Sequence, residues 1–197
     1  MDHPFVLELM RHGKTVGNDE KRYVGWTDDV LLTENLPVVD AKATYAFCSD
    51  LQRTVITAKH YFPNANVQRF SDFRESHFGD FEMQTYEQLK DNPRYRAWID
   101  DPYNVSPPNG ETLHALFKRV ERGIQQLPKY DKLFGVLHGG TIRAILVNYA
   151  PKKQDFWAYT IGHNERYVLT WDSWQQFKEG QRCTSLSVEL LTAKKHT

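Results

Sequence analysis

The chain has 197 residues, with 25 lysines and arginines against 25 aspartates and glutamates, which gives a formal net charge of +0. This length fits one domain, and a composition of 40% hydrophobic and 25% charged residues is that of a globular protein rather than a disordered or coiled-coil one. The charge balance argues against a general nucleic-acid binder, which usually carries a basic excess.

Neither a membrane span nor a secretion signal is visible. No stretch approaches the ~18 consecutive apolar residues of a membrane span, and residues 1–4 lack the basic and long apolar regions of a signal peptide. Cys48 and Cys183 are too few and too far apart for a disulfide framework or a zinc ligand set. We expect a cytoplasmic protein without membrane or nucleic-acid partners, and its oligomeric state stays open.

Apolar runs bounded by polar or glycine residues predict six strands in chain order. They lie at residues 5–10, 45–48, 67–70, 133–137, 166–171 and 186–191. Ser49 and Gln52 have the spacing of a capping box, which predicts a helix over 51–60.

Two further helices follow from the pattern. Leu113, Leu116, Val120 and Ile124 share one face of a predicted helix over 112–127. A third helix is predicted from 141 to 149, with its start near the glycine pair 139–140, and residues 75–110 read as an irregular cap with one or two short helices. Strands alternating with helices indicate an α/β fold with a mostly parallel sheet.

Three of the predicted strands are followed by residues whose side chains or backbone could bind or react with a ligand. The first is followed by Arg11 and His12, the second by a helix that carries Arg53, and the fourth by His138 and Gly139. Because ligands of open parallel sheets bind beyond the carboxyl ends of the strands, these side chains are expected to converge on one pocket.

Such a pocket suits a phosphoryl group. The guanidinium forks of Arg11 and Arg53 match phosphate oxygens, the helix start at Gly139 adds free N–H groups, and Asn18 is a further donor. A metal site would need carboxylates rather than arginines nearby, so we expect no metal.

A histidine beside a clamped phosphoryl group can act as a nucleophile, while arginines and a second histidine stabilise the developing charge. An acid must then protonate the leaving oxygen. Glu75 is the first candidate for this acid, and Asp80 and Glu82 are alternatives from spacing.

Four sequence blocks also resemble a known family. They are Arg11-His12-Gly13-Lys14-Thr15 with Asn18, Ser49-Asp50-Leu51-Gln52-Arg53-Thr54 with Thr57-Ala58, Glu75 with Phe78-Gly79-Asp80-Phe81-Glu82, and Leu137-His138-Gly139-Gly140. Their order and spacing across residues 7–146 resemble the histidine phosphatase superfamily, branch 1, which is also called phosphoglycerate-mutase-like.

The resemblance implies a single domain over 1–197, built as a three-layer α/β/α sandwich whose cap, about 75–110, covers the site. It implies that His12 is the phosphorylated nucleophile and that Glu75 is the proton donor. It assigns Arg11, Arg53 and His138 to the phosphate pocket, with help from Asn18 and the Gly139 backbone. No cofactor is implied.

Two features depart from the family pattern. The family usually has a long helix between its Leu-Thr-Glu element, here at 32–34, and the second strand, whereas residues 35–44 with Pro37 leave that helix short or missing. Met83 stands where a glycine commonly follows the position of Glu82, which could reshape the cap.

Three functions stay open. Hydrolysis of small-molecule phosphate monoesters is favoured, because family mutases carry adjacent arginines in a longer cap and this chain has only Arg94 and Arg96 there. Mutase-type phosphoryl transfer and a non-catalytic phosphate-binding module are the alternatives. Among small phosphatases, the α-ribazole phosphatases share the Gly-x-Thr-Asp element over 25–28 and the short length.

The other histidines and aromatic residues are interpreted conservatively. His77 and His114 lie in or beside the cap and are weaker candidates for substrate contact. The remaining histidines are expected to be structural or solvated: His3, His60, His163 and His196. Four aromatic residues are interpreted as packing residues: Tyr23, Trp26, Trp98 and Tyr103.

Overall fold

The computed structural model describes residues 3–32 and 36–191. Six strands form one sheet in the order β3-β2-β4-β1-β5-β6. The strands are β1 (Phe5–Arg11), β2 (Tyr45–Cys48), β3 (Asn66–Arg69), β4 (Lys132–Leu137), β5 (Glu165–Trp171) and β6 (Ser185–Leu190). β1 to β4 pair in parallel, whereas β5 runs antiparallel to both β1 and β6. The prediction of a mostly parallel central sheet is confirmed.

Seven α-helices accompany this sheet in the described ranges. They are α1 (Val16–Asp19), α2 (Gln52–Tyr61), α3 (Tyr86–Leu89), α4 (Pro93–Asp100), α5 (Leu113–Gln126), α6 (Gly139–Tyr149) and α7 (Trp174–Lys178). The longest of them, α5, has 14 residues, and no helix in the described ranges is both long and apolar enough to span a bilayer.

Helices cover both faces of the sheet because the central strands are apolar on both sides. Leu7 and Leu9 of β1 join the larger core with α5 and α6, while Met10 of the same strand joins a second core with α2. The three-layer α/β/α arrangement is therefore confirmed. The predicted apolar face of α5 is also confirmed, since Leu116 and Ile124 are fully buried.

The predicted capping box at Ser49 is wrong. The N-cap of α2 is Leu51, which makes no side-chain capping bond, and the Ser49 hydroxyl instead lies 2.8 Å from both Thr54 Oγ1 and His138 Nε2. The tertiary fold places the buried His138 imidazole beside this hydroxyl, which therefore contacts a distant side chain instead of capping α2.

The segment before β2 contains no helix over residues 36–44, as its proline predicted, while residues 33–35 lie outside the described residues. Val39 and Ala43 nevertheless bury their side chains in the core beneath α2. The N–H groups of Val39 and Asp40 both donate to the carbonyl oxygen of Tyr61. The irregular segment 36–44 therefore covers part of the core where the family usually has a helix.

The segment predicted as a cap contains a 3₁₀ turn at Gly79–Phe81 followed by the short helices α3 and α4. It has its own apolar cluster, formed by Phe81, Leu89, Tyr95 and Trp98. Met83 adopts a φ of 60°, a left-handed conformation in which glycine carries no steric penalty. This conformation explains why a glycine fits that position.

Candidate active site

The sheet order brings three predicted site segments together. β4 lies between β2 and β1, so the carboxyl ends of three parallel strands are neighbours. Arg11 ends β1, Arg53 lies in the first turn of α2, and His138 is the N-cap of α6 directly after β4. The expected convergence of these segments at one edge of the sheet is present.

His12 is buried at the centre of this edge with 2% of its surface exposed. Its Nδ1–H donates to the carbonyl oxygen of Gly13 at 2.6 Å, so in the neutral ring Nε2 carries the free lone pair. Burial and the positive charges of Arg53 and Arg11 lower the pKa of His12 well below its ordinary value. The unprotonated, nucleophilic form is therefore favoured.

His138 lies beside His12, with ring centroids 5.1 Å apart. Its Nε2 is 2.8 Å from the Ser49 hydroxyl, and its ring is fully buried. Burial followed by the charge of Arg53 lowers the pKa of His138 well below its ordinary value. Its Nδ1 has no hydrogen-bond partner among the described residues.

Arg11 and Arg53 are fixed by backbone carbonyls. Arg11 Nη1 donates to Ile161 O at 3.0 Å, and Arg53 donates to Thr27 O at 2.9 Å and Gly25 O at 2.5 Å. Burial lowers the pKa of both guanidinium groups, and the negative charge of Glu75 opposes this shift. Both groups are thus held in one orientation before a ligand arrives.

The site contains unsatisfied buried nitrogens. In the described part of the chain, four buried side-chain polar atoms lack a partner, and three of them are Arg11 Nε, Arg53 Nε and His138 Nδ1. The fourth belongs to Arg166, which pairs with Glu8 and Glu189 on β1 and β6. Because a buried donor without a partner costs free energy, this cluster fits an anion that accepts from all three nitrogens.

Glu75 lines the pocket beside Gly140. Both of its carboxylate oxygens accept from the Gly140 N–H, at 3.1 and 3.0 Å, and one also accepts from the Ser76 N–H at 2.8 Å. Its own carbonyl oxygen accepts from Trp26 Nε1 at 2.8 Å. The carboxyl group is therefore anchored at the start of α6, next to the histidine pair.

The alternative acids have other surroundings. The carboxylate of Glu82 accepts from four backbone N–H groups, those of Gly25, Trp26, Thr27 and Phe78. Asp80 is exposed and accepts from the Asn109 side chain at 2.9 Å. Glu82 thus ties two loops together, and of the three carboxylates only Glu75 lines the central cavity.

A cavity of about 180 Å³ opens above these residues, and its lining includes Arg11, Asn18, Glu75 and Gly139. Asn18 occupies the N3 position of α1, where it forms a reciprocal capping pair with Thr15. His77 packs edge-on against Trp26 at 4.4 Å. Neither His77 nor His114 is part of the cavity lining.

One of the histidines expected to be structural or solvated, His163, lies beside the site. His163 Nδ1–H donates to the carbonyl oxygen of His12 at 2.8 Å, and the two rings are 5.5 Å apart. Burial and the charge of Arg11 lower the pKa of His163 to about 4. No sequence signal links positions 151 residues apart. His3 and His60 are exposed as expected, and His196 lies outside the described residues.

Arg143 was also missed. It lines the same cavity as Arg11 and Glu75, and its Nε donates to Tyr159 O at 2.8 Å. Its position four residues after Gly139 could have indicated this, because such spacing places two residues on one helix face. Tyr23 and Trp98 pack in the cap as expected, and they also line the cavity.

The fold and the site together define an α/β/α protein with a buried, cationic anion pocket around an uncharged histidine. The model of the histidine phosphatase superfamily (branch 1) matches residues 7–182. The chain therefore belongs to this superfamily, which confirms the resemblance seen in its sequence, and it is a phosphatase of that class.

Relatives of two kinds are similar to the chain. It is 30% identical over 155 residues to an adenosylcobalamin/alpha-ribazole phosphatase of Escherichia coli (strain K12), covering 71% of this chain and 76% of that protein. It is 25% identical over 168 residues to a phosphoglycerate mutase of Schizosaccharomyces pombe, covering 74% and 79%.

Two solved structures represent the same two kinds of protein. The alpha-ribazole phosphatase from Shigella flexneri matches with a TM-score of 0.78 at 23% identity over 95% of this chain and 96% of that one, a likeness of fold alone. The phosphoglycerate mutase from Thermus thermophilus matches with a TM-score of 0.67 at 29% identity over 92% and 98%.

Proposed function

We propose that the protein hydrolyses phosphate monoesters of small molecules through a phosphohistidine at His12. The observation that carries this proposal is the group of three buried, unpartnered nitrogens on Arg11, Arg53 and His138 beside a histidine that burial keeps uncharged. A phosphoryl group supplies the oxygens that these donors lack, and it places phosphorus within reach of a free ring nitrogen.

In the first step, the lone pair of His12 Nε2 attacks phosphorus while the bond from phosphorus to the ester oxygen breaks. For this step Glu75 carries a proton in the substrate complex; it gives that proton to the leaving oxygen and becomes a carboxylate. Charge on the three equatorial oxygens is met by the nitrogens of Arg11, Arg53 and His138, which were oriented before the substrate bound.

In the second step, water attacks phosphorus and the bond to Nε2 breaks, which returns the electron pair to His12. The Glu75 carboxylate accepts the proton from water, so both residues regain their starting states. Inorganic phosphate and the free alcohol are the products. No metal ion is needed, because the arginines and histidines supply the charge stabilisation.

For the substrate, we propose α-ribazole 5′-phosphate or a phosphate monoester of similar size. The support is the 30% identity to relatives named adenosylcobalamin/alpha-ribazole phosphatase. Mutase-type transfer is the second candidate, since phosphoglycerate mutases are also among the relatives. The two cap arginines considered for holding a substrate carboxylate, Arg94 and Arg96, are exposed on α4 and do not line the cavity, which favours hydrolysis.

The test compares two reactions of the same purified protein. We expect phosphate release from α-ribazole 5′-phosphate and no interconversion of 3-phosphoglycerate to 2-phosphoglycerate. Rapid quenching with labelled substrate is expected to trap acid-labile phosphate on the protein. His12→Ala is expected to abolish turnover and labelling, whereas His60→Ala, at an exposed position on α2, is the matched control. Normal labelling of His12→Ala contradicts the proposal.

A further inference from the structure

Glu75, the proposed acid, lies in a segment without regular secondary structure. The segment follows a 3₁₀ turn at Ser71–Phe73, and within the described residues the Glu75 backbone makes no hydrogen bond to another backbone group. Its carboxylate is anchored at Gly140, but the backbone that carries this side chain depends on side-chain donors. Because an acid must stay within hydrogen-bond reach of the leaving oxygen, the groups that hold this backbone bear on catalysis.

Arg119 on α5 donates to this backbone at three carbonyl groups. Its Nη1 donates to the carbonyl oxygens of Asp72 and Arg74, at 2.8 and 2.9 Å, and its Nη2 donates to that of Glu75 at 3.2 Å. Nε and Nη2 also donate to the Glu111 carboxylate, so all five N–H groups of the guanidinium have acceptors. Only 8% of the Arg119 surface is exposed, which limits competition from water for these bonds.

The Glu111 carboxylate connects Arg119 to the chain beyond the acid. Glu111 Oε1 also accepts from the N–H of His77 at 3.0 Å, two residues after Glu75. Trp26 Nε1 supplies a second donor to the Glu75 carbonyl oxygen, at 2.8 Å. The guanidinium carbon of Arg119 lies 5.8 Å from the Trp26 ring, so the two donors to that carbonyl pack together.

Arg122, nearly one turn further along α5, offers an internal comparison. It donates to the Asp72 carboxylate at 2.9 Å but, among the described residues, to no backbone carbonyl of this segment, and 58% of its side chain is exposed. An exposed ion pair of this kind contributes little, because water and salt screen it. Arg122 therefore contacts the same segment without holding the backbone of Glu75.

We propose that Arg119 is a positioning residue for Glu75, whose backbone it fixes so that the carboxyl group meets the leaving oxygen of the substrate. The inference rests on the phosphatase function proposed above. It assigns a role in proton transfer to a residue that lies outside the four sequence blocks and does not line the cavity. A misplacement of about 1 Å at a reacting group can cost about 10²-fold in rate, even when the mutation is far from the chemistry.

The test uses the dependence of the rate on the leaving group. An alkyl phosphate needs the proton of Glu75, whereas p-nitrophenyl phosphate does not, so the ratio of kcat/KM for the alkyl ester to kcat/KM for p-nitrophenyl phosphate reports on the acid. In Arg119→Met this ratio is expected to fall by about 10- to 100-fold, mainly through kcat. Arg119→Lys keeps the charge but has fewer donors, and a smaller fall is expected.

Two further measurements separate positioning from a loss of stability. Trp26→Phe removes the other donor to the Glu75 carbonyl without leaving a buried charge unpaired, and it is expected to lower the same ratio by about 2- to 10-fold. Combining Arg119→Met with Glu75→Gln is expected to give the ratio of Glu75→Gln alone, because no acid is left to position. Thermal unfolding checks that each variant is folded.

Arg122→Met is the matched control, and its ratio is expected to equal that of the unmodified protein. An unchanged ratio in folded Arg119→Met overturns the proposal, because Arg119 then only stabilises the fold. If Arg119→Met does not fold, unchanged ratios in both Arg119→Lys and Trp26→Phe overturn it. A fall in Arg122→Met as large as that in the Arg119 variants also overturns it. Hydrolysis of neither ester by the unmodified protein contradicts the proposed phosphatase function itself.

Discussion

The backbone N–H of Gly140 points at the carboxylate of Glu75 and lies 3.1 and 3.0 Å from its two oxygens. These residues are 65 positions apart, and the contact joins the segment after β3 to the first turn of α6. Because His138 is the N-cap of the same helix, the acid and the second histidine are held by one structural element.

Because of this contact, we expect Gly140 to be sensitive to substitution. A Cβ on Gly140 would lie 2.2 Å from Glu75 Oε1, whereas a Cβ on Gly139 would meet Arg11 Cζ at 3.5 Å, an ordinary contact. Gly140→Ala is therefore expected to displace the carboxyl group and to lower turnover of alkyl phosphates by about 10²-fold or more. Gly139→Ala is the control, and its turnover of alkyl phosphates is expected to fall much less. Equal kcat/KM values for the two variants would contradict this assignment.

The effect of replacing the proposed acid, Glu75, should depend on the leaving group of the substrate. Glu75→Gln is expected to reduce kcat/KM by about 10²–10⁴-fold for an alkyl phosphate but far less for p-nitrophenyl phosphate, because an acidic leaving group departs without a proton. Arg53→Lys removes part of the charge-stabilising fork around the phosphoryl group, so similar losses on both substrates are expected. If Glu75→Gln impairs both substrates equally, the acid is another residue, and Glu82 is the next to replace.

Folding stability should fall in acid because of histidines that stay uncharged when folded. His163 titrates near pH 4 in the folded protein and near its ordinary pKa of 6.5 when unfolded. Below pH 6.5 the unfolded chain therefore binds more protons, and stability decreases by about 1.4 kcal/mol per pH unit down to about pH 4.

Urea unfolding at pH 7, 6 and 5 measures this slope. His163→Asn removes the titrating ring but keeps an N–H donor for the His12 carbonyl, so it is expected to flatten the slope. His60→Asn, on the exposed end of α2, is the control for loss of an imidazole. An unchanged slope in His163→Asn would show that this ring is charged in the folded protein.

We expect anions, and not metal chelators, to inhibit the enzyme. The described residues contain no group of three or more His, Cys, Asp or Glu side chains placed to hold a metal ion, and the pocket donors are guanidinium and imidazole nitrogens. Activity is expected to survive EDTA, while phosphate and vanadate are expected to inhibit competitively and to raise Tm. Loss of activity in EDTA that one divalent ion restores would overturn this expectation.

Much of the site could be read from the residues that follow the strands. Arg11, Arg53 and His138 each stand one to five positions beyond a short apolar run, and parallel strands present their carboxyl ends at a common edge. The capping box at Ser49 failed because the same hydroxyl serves His138, 89 residues away. A local pattern cannot report a partner at that distance.

The sequence by itself determined the six strands, the three main helices and the mostly parallel sheet, because strand length, helical periodicity and glycine positions act over a few neighbouring residues. Only the tertiary structure distinguished Glu75 from Glu82, two carboxylates of one segment with opposite surroundings. It brought the Glu75 carboxylate against the Gly140 N–H of α6 and surrounded the Glu82 carboxylate with four backbone N–H groups. It also placed His163 against His12. Backbone donors and distant side chains meet only when the whole chain is folded, so these environments have no local signature.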